Sequence, residues 1–168
     1  MNKLLVLLVL LFTSNISYGQ DYLHSCEYAN RQTEQSALAC NIFWEASSHT
    51  EGYVGRLAVG LVVMNRVYST RFPDNVVGVV YQKAAMSWTK DGKSDRIPNT
   101  HLDRKVWKQC LSIADELLSI KHRNYKFFDF TMGAMWYHNT SVNPYWADPK
   151  YITARVNNHI FYWNDKKK

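Results

Sequence analysis

Val54, Leu57, Ala58, Leu61 and Val62 recur at i, i+3, i+4, i+7 and i+8, a spacing that an α-helix turns into one apolar face. A face of that width has to be covered, so the chain needs other amphipathic elements to pack on it. Two are legible. Thr33 followed by Glu34 marks a helix start, and Leu38, Ala39, Ile42 and Phe43 give the helix that runs to about Ala46 a broad apolar side. From about Asp103 to Ile120, Val106, Trp107, Cys110, Leu111, Ala114, Leu117 and Leu118 line another. Thr50, with Glu51 behind it, is placed to cap the middle helix. Gly60 weakens that helix locally, and its expected use is to admit another element at close range.

The pattern then changes. RFPDN turns the chain after Arg66 into a short apolar segment, Val76 to Tyr81, and AMSWTKDGKSDRIPNTH reads as a polar loop broken by Gly92 and Pro98. TMGAMWYHN, YITARV and HIFYW are short, aromatic and β-branched, which favours strands. The last two are joined by Asn157-Asn158, and asparagine tolerates the positive φ of a two-residue hairpin turn. The expected fold class is α+β, mainly helical, with a small C-terminal antiparallel β part.

The first residues stand apart. MNK is a short positive start, LLVLLVLLF (Leu4 to Phe12) is apolar, and Ser17 and Gly19 are small residues at the positions a signal peptidase reads. That run falls short of the roughly 20 residues a membrane-spanning helix needs. Residues 1–19 are therefore expected to be a cleaved secretory signal, and 20–168 a single domain with no stable membrane anchor after cleavage. Export places it in the periplasm, the cell wall or the extracellular space. Of the formal net charge of +6, the leader carries only Lys3. The remaining positive excess suits an anionic polymer such as cell wall, and equally nucleic acid. Lys166 to Lys168 read as a solvated tail. Cys26, Cys40 and Cys110 allow one disulfide and leave one thiol, with the pairing open.

The chemistry centres on LACNIFWEASSHTEG, where Glu45 appears in the last turn of an apolar helix, directly after Ile42, Phe43 and Trp44. The negative end of the helix dipole disfavours a second negative charge, and the aromatic neighbours limit its solvation. Both push the carboxyl pKa upward, as a proton donor to a glycosidic oxygen requires. A second carboxylate across the cleft would suit a hydrolase that uses water. Glu51 has a ready structural role, Asp91, Asp95 and Asp103 lie in or beside the central loop, and Asp129 and Asp148 near the β part; none has surroundings as suggestive as those of Glu45, so one acid is the more economical reading. Trp88, the run Trp136-Tyr137-His138 and the pair Tyr145-Trp146 set flat rings beside hydrogen-bonding groups, as sugar binding requires. His101, His122, His138 and His159 are scattered without the short spacing of a catalytic zinc site. No G-x-S-x-G marks a serine nucleophile.

These segments resemble, in the same order, those of the SleB/CwlJ-type cell-wall hydrolases, the family of spore-cortex lytic enzymes. LACNIFWEASSHTEGYVGRLAVGLVVMNRV resembles the family's glutamate-bearing helix, loop and following helix. FPDNVVGVVYQKAAMSWTKDGK resembles the segment that ends in glutamine and a Phe/Ser-Trp loop, and GAMWYHNTSVNPYWA and RVNNHIFYW the closing aromatic motifs. The resemblance implies a lysozyme-like catalytic domain acting as a lytic transglycosylase on the glycan strands of peptidoglycan. Glu45 would be its single catalytic acid, and Gln82, Ser87, Trp88, Trp136, Tyr137, His138, Asn139, Tyr145 and Trp146 would bind substrate. It implies no metal or organic cofactor and no nucleic-acid partner, and a monomer is expected. Three departures stand out: Ala46-Ser47-Ser48-His49 replaces a frequent Ala-Arg-Gly-Glu, Asn157-Asn158 replaces Gly-Asn in the hairpin, and Met86 replaces Phe. The alternatives are a water-using muramidase, a zinc amidase and a non-catalytic wall-binding protein.

Overall fold

The computed structural model describes residues 21–47, 51–83 and 86–163. The expected leader at 1–19, the Thr50 cap and the lysine tail lie outside the described residues.

Three helices form the core. α1 (Glu34–Ala46) starts at Thr33, whose hydroxyl accepts from Ser36 N at 3.1 Å while Ser36 Oγ accepts from Thr33 N at 2.9 Å, a reciprocal cap. α2 (Gly52–Val67) and α4 (His101–Ser119) pack against it, α4 being capped by Thr100 through Asp103 N at 3.1 Å. Leu38, Ile42, Leu61, Ile113 and Leu117 are fully buried between them. A Cβ at Gly60 would lie 2.6 Å from Leu117 Cδ1 and 3.1 Å from Ile42 Cδ1, so glycine is what lets the three helices meet there.

The Val76–Tyr81 stretch is a short helix, α3 (Val76–Val80), capped by Asn75 and tied to α1 where Val76 N donates to Glu34 Oε1 at 3.2 Å. A strand pair that the sequence pattern does not announce lies beside α4: β1 (Tyr22–Ser25), whose His24 stacks on Trp107 at 5.1 Å, runs antiparallel to β2 (Arg96–Pro98), the latter inside the stretch expected to be all loop. The Cys26–Cys40 disulfide fastens this pair to α1, and Cys110 is left as a buried free thiol on α4.

A short helix, α5 (His122–Tyr125), leads into the C-terminal sheet of β3 (Trp136–Asn139), β4 (Ile152–Val156) and β5 (His159–Tyr162). The sheet is antiparallel in the order β3-β5-β4, and Asn157 makes the hairpin turn at φ 48°. The expected strand over TMGAMWYHN is shorter than its pattern, because Met132 and Gly133 take positive φ and turn the chain first. Phe161 on β5 packs on Ala58 and Val62 of α2, which joins the sheet to the helices. The fold class is thus α+β, mainly helical with a small antiparallel sheet, as the pattern of periods predicts.

Candidate functional site

α1 ends where the sheet meets the helices, and Glu45 sits in that last turn. Asn41 lies one turn earlier on the same face. β3 brings Tyr137 back against both, on the face of the sheet that turns toward α2. From α2, Arg66 reaches in, buried, with Nε donating to Met135 O at 2.8 Å and Nη1 at 4.0 Å from Met86 Sδ. Trp88, buried in a short 3-10 turn, closes another side by donating from Nε1 to Asn41 Oδ1 at 3.3 Å.

Burial pushes the Glu45 carboxyl above its ordinary 4.5, partly offset by the Tyr137 hydroxyl and by the positive charge of Arg66. The Tyr137 hydroxyl lies close enough to act on that carboxyl, yet it closes no hydrogen bond of full geometry. Its own pKa is pushed well up by burial and then by the neighbouring Glu45 charge. Burial lowers the pKa of Arg66, while Tyr137 and Glu45 favour its cation. Three buried polar atoms at this end of α1 lack a partner among the described residues: the Tyr137 hydroxyl, Asn41 Nδ2 and Trp44 Nε1. An unmet buried donor costs about 1–3 kcal/mol. The arrangement therefore supplies one acid held toward its neutral form, a fixed cation behind it and donors without acceptors.

The residues expected to bind substrate divide into three groups. Tyr137 lies against Glu45, and Trp88 reaches Asn41 one turn earlier on α1. Trp136 and His138 project from the opposite face of β3, as strand alternation requires. There Trp136 packs on Phe72 at 6.1 Å and lies under the Arg71 guanidinium at 5.1 Å. His138 stacks on Tyr162, with Trp146 edge-on to both. Its Nε2 lies 2.8 Å from the Tyr162 hydroxyl and its Nδ1 2.9 Å from Asn139 O, so both ring nitrogens are engaged within the sheet. Asn139 Oδ1 accepts from Ser141 N at 2.9 Å in the turn after β3. Gln82, Ser87 and Tyr145 are exposed, Tyr145 at 97%.

The acids considered as second carboxylates are engaged elsewhere. Glu51, only 2% exposed, is committed to the sheet; its Oε2 is 3.1 Å from His159 Nδ1 and its carbonyl takes Asn157 Nδ2. Asp129 caps its own loop, Asp103 belongs to the α4 cap, and Asp91 and Asp148 pair with Lys93 and Lys150. Asp95 is pushed up to about 6 by burial and by Asp91 and Glu27. Among the described residues one group of three metal-ligand side chains converges, His24 with Cys26 and Cys40, and both sulfurs are already joined to each other.

Sequence reasoning missed Asn41 and Arg66. Each carried a signal: a polar residue inside an otherwise apolar helical face must meet a partner or a ligand.

A family model described as Cell Wall Hydrolase matches residues 50–162. Over 69 residues the chain is 41% identical to the spore cortex-lytic enzyme of Halalkalibacterium halodurans, covering 41% of this chain and 20% of that one. Over 127 residues it is 28% identical to that of Bacillus subtilis, covering 74% of this chain and 35% of that one. The chain thus spans about a fifth to a third of these curated relatives. Among solved structures, the catalytic domain of the germination-specific lytic transglycosylase SleB from Bacillus anthracis aligns with a TM-score of 0.54 at 23% identity, over 79% of this chain and 96% of that domain. That likeness concerns the fold.

Proposed function

The chain belongs to the cell wall hydrolase family, and from that premise we propose that it is an exported lytic transglycosylase of peptidoglycan with Glu45 as its acid. The bond cleaved joins N-acetylmuramic acid to N-acetylglucosamine. Neutral Glu45 donates its proton to the glycosidic oxygen as the C1–O4 bond breaks, and the muramic ring becomes oxocarbenium-like. The same carboxylate then takes the proton of the muramic 6-hydroxyl as O6 bonds to C1. The product is a 1,6-anhydro sugar, Glu45 ends protonated again, and no water is consumed. Arg66 stabilises the carboxylate between the two steps, and the Tyr137 hydroxyl is placed to donate to it.

One observation carries this reading: the Glu45 carboxyl is held toward its protonated form by burial, beside donors that the fold leaves unpartnered. A single acid that alternates between giving and taking a proton needs no partner carboxylate, which agrees with Glu51 being tied to His159. The wall-side location follows from the same proposal, with residues 1–19 as a removed leader and 20–168 as one catalytic domain. The exposed Tyr145 is proposed to stack on sugar rings, while the buried Trp88 positions Asn41.

Mass spectrometry of the soluble products from purified peptidoglycan tests the proposal. Anhydro-muramyl ends that vanish in Glu45→Gln are the expected result. Reducing ends in their place would make the protein a water-using muramidase with the same acid. Products that persist in Glu45→Gln would remove Glu45 from the chemistry.

A further inference from the structure

Between α4 and β3 the sequence KHRNYKFFDFTM (Lys121 to Met132) does something that core formation does not explain. Phe127 is 78% exposed, Phe128 57% and Met132 65%, a cluster of apolar side chains turned outward on one short stretch. They are not on a loose loop. Tyr125 is buried and donates its hydroxyl to Leu61 O at 2.8 Å, with Tyr68 packed edge-on against it at 4.8 Å. Asp129 accepts from Thr131 N at 3.0 Å and Gly133 N at 2.6 Å, and Phe128 N donates to Tyr125 O at 2.9 Å. The backbone is therefore bonded into a shape that holds the apolar side chains away from the core.

The charges beside them share one sign. Lys121 and Arg123 line, together with Phe128, an open depression of about 400 Å³, and Lys126 Nζ lies 5.3 Å from the centre of the Phe127 ring. Among the described residues no acid is ion-paired with these three cations. Asp129, the one carboxylate in the stretch, is turned inward onto backbone amides.

We propose that this corner is a peripheral docking surface for a bilayer rich in anionic lipid. The phenylalanine rings and Met132 enter the boundary between headgroups and acyl chains, and Lys121, Arg123 and Lys126 meet the lipid phosphates. Charge complementarity selects the anionic partner. The residue types select lipid over glycan: Phe and Met carry no polar atom to pair with sugar hydroxyls, unlike the tryptophans and tyrosines near Glu45. Such docking is reversible and differs from a spanning anchor; no helix among the described residues is long and apolar enough to cross a membrane. It would hold a wall enzyme at the face where membrane and peptidoglycan meet.

The test is co-sedimentation of the processed protein with vesicles of phosphatidylcholine alone, or of phosphatidylglycerol with phosphatidylcholine. The expected result is binding to the anionic vesicles only. It weakens by about tenfold or more in Phe127→Ser/Phe128→Ser, and it falls as salt rises from about 0.1 to 0.5 M. Because both rings are exposed, the variant should keep its melting temperature and its activity on soluble glycan, which separates lost docking from lost folding. No binding to either vesicle, or unchanged binding by the variant, overturns the proposal. So does retention on purified wall that drops in the variant while vesicles are ignored, which would assign the surface to glycan. A concentration-dependent dimer that the variant abolishes would assign it to self-association and overturn the proposal equally.

Discussion

Glu45 and Glu51 stand at the two ends of one connection, the first in the last turn of α1 and the second at the start of α2. Chemically they are the same side chain. Glu51 sits at a helix N-terminus, where the dipole favours a carboxylate; its side chain is spent on His159, and its backbone carbonyl accepts from Asn157 in the hairpin turn. A Cβ at Gly55 would lie 2.5 Å from Glu51 Oε2, so the helix itself makes room for that pairing. Glu45 sits at a C-terminus, where the dipole opposes its charge, among donors that have no other partner. The sign of the local field and the presence or absence of a committed partner separate a structural acid from a chemical one. Residue type does not.

The largest effect that would break this contrast is on turnover. Glu45→Gln should lower the rate of anhydro-product release by about 10²–10⁴-fold, the usual worth of a positioned proton donor. Glu51→Gln should leave the rate per folded molecule near that of the parent. If the two variants lose turnover equally, the assignment of one acid to chemistry and the other to scaffold fails.

Stability should show the reverse order. Glu51→Ala leaves His159 buried without its side-chain partner, while the Asn157 bond to the residue-51 carbonyl is kept, at a cost of about 2–4 kcal/mol in urea unfolding. The pair is 2% and 4% exposed, so solvent screening does not dilute it. A Glu51→Ala protein as stable as the parent would mean that the Glu51–His159 pair adds nothing to the docking of the sheet.

A third and smaller effect is the pH dependence of Glu45. Burial raises its folded pKa above the ordinary 4.5. The unfolded chain therefore holds fewer protons than the folded one between those two values. Stability from this group is full below 4.5 and is lost as pH rises through the folded value. Relative to the parent, Glu45→Gln should gain stability at neutral pH, and the gap should close as pH falls below 4.5. Turnover by the parent should fall across the same window, because the proton donor is being titrated. A stability gap that does not change with pH would show that the carboxyl is not perturbed by its site.

Much of this fold is legible in the sequence alone. Thr33, the i, i+3, i+4 spacing in α2 and the Asn157-Asn158 turn are local signals, and each element they predict is present. The position of Glu45 at a helix end is readable for the same reason. What cannot be read is what depends on contacts far apart in the chain. β1 and β2 are short strands separated by some seventy residues, and nothing in RIP alone distinguishes it from loop. Arg66 looks like an ordinary basic residue at a helix end until Met135 O and Phe72 close over it. Trp136 and His138 illustrate a subtler limit. Being next to Tyr137 in sequence puts them on the other face of the strand, where His138 is engaged with Tyr162.

The smallest effect separates the two causes assigned to Glu45, since both burial and the α1 dipole act in the same direction. Ser47 is the exposed residue that ends α1, so Ser47→Lys places a cation at the negative pole with little change in packing. An exposed charge there is worth about 0.3–1 kcal/mol at low ionic strength. It should favour the Glu45 carboxylate, and move the upper limb of the pH–rate profile by a few tenths of a unit toward acid, an effect that salt erases. If the limb stays in place at low salt, the dipole contributes nothing measurable, and burial alone makes Glu45 the acid. The contrast with Glu51 would then rest on partners: His159 holds one carboxyl, and the other is left for a ligand.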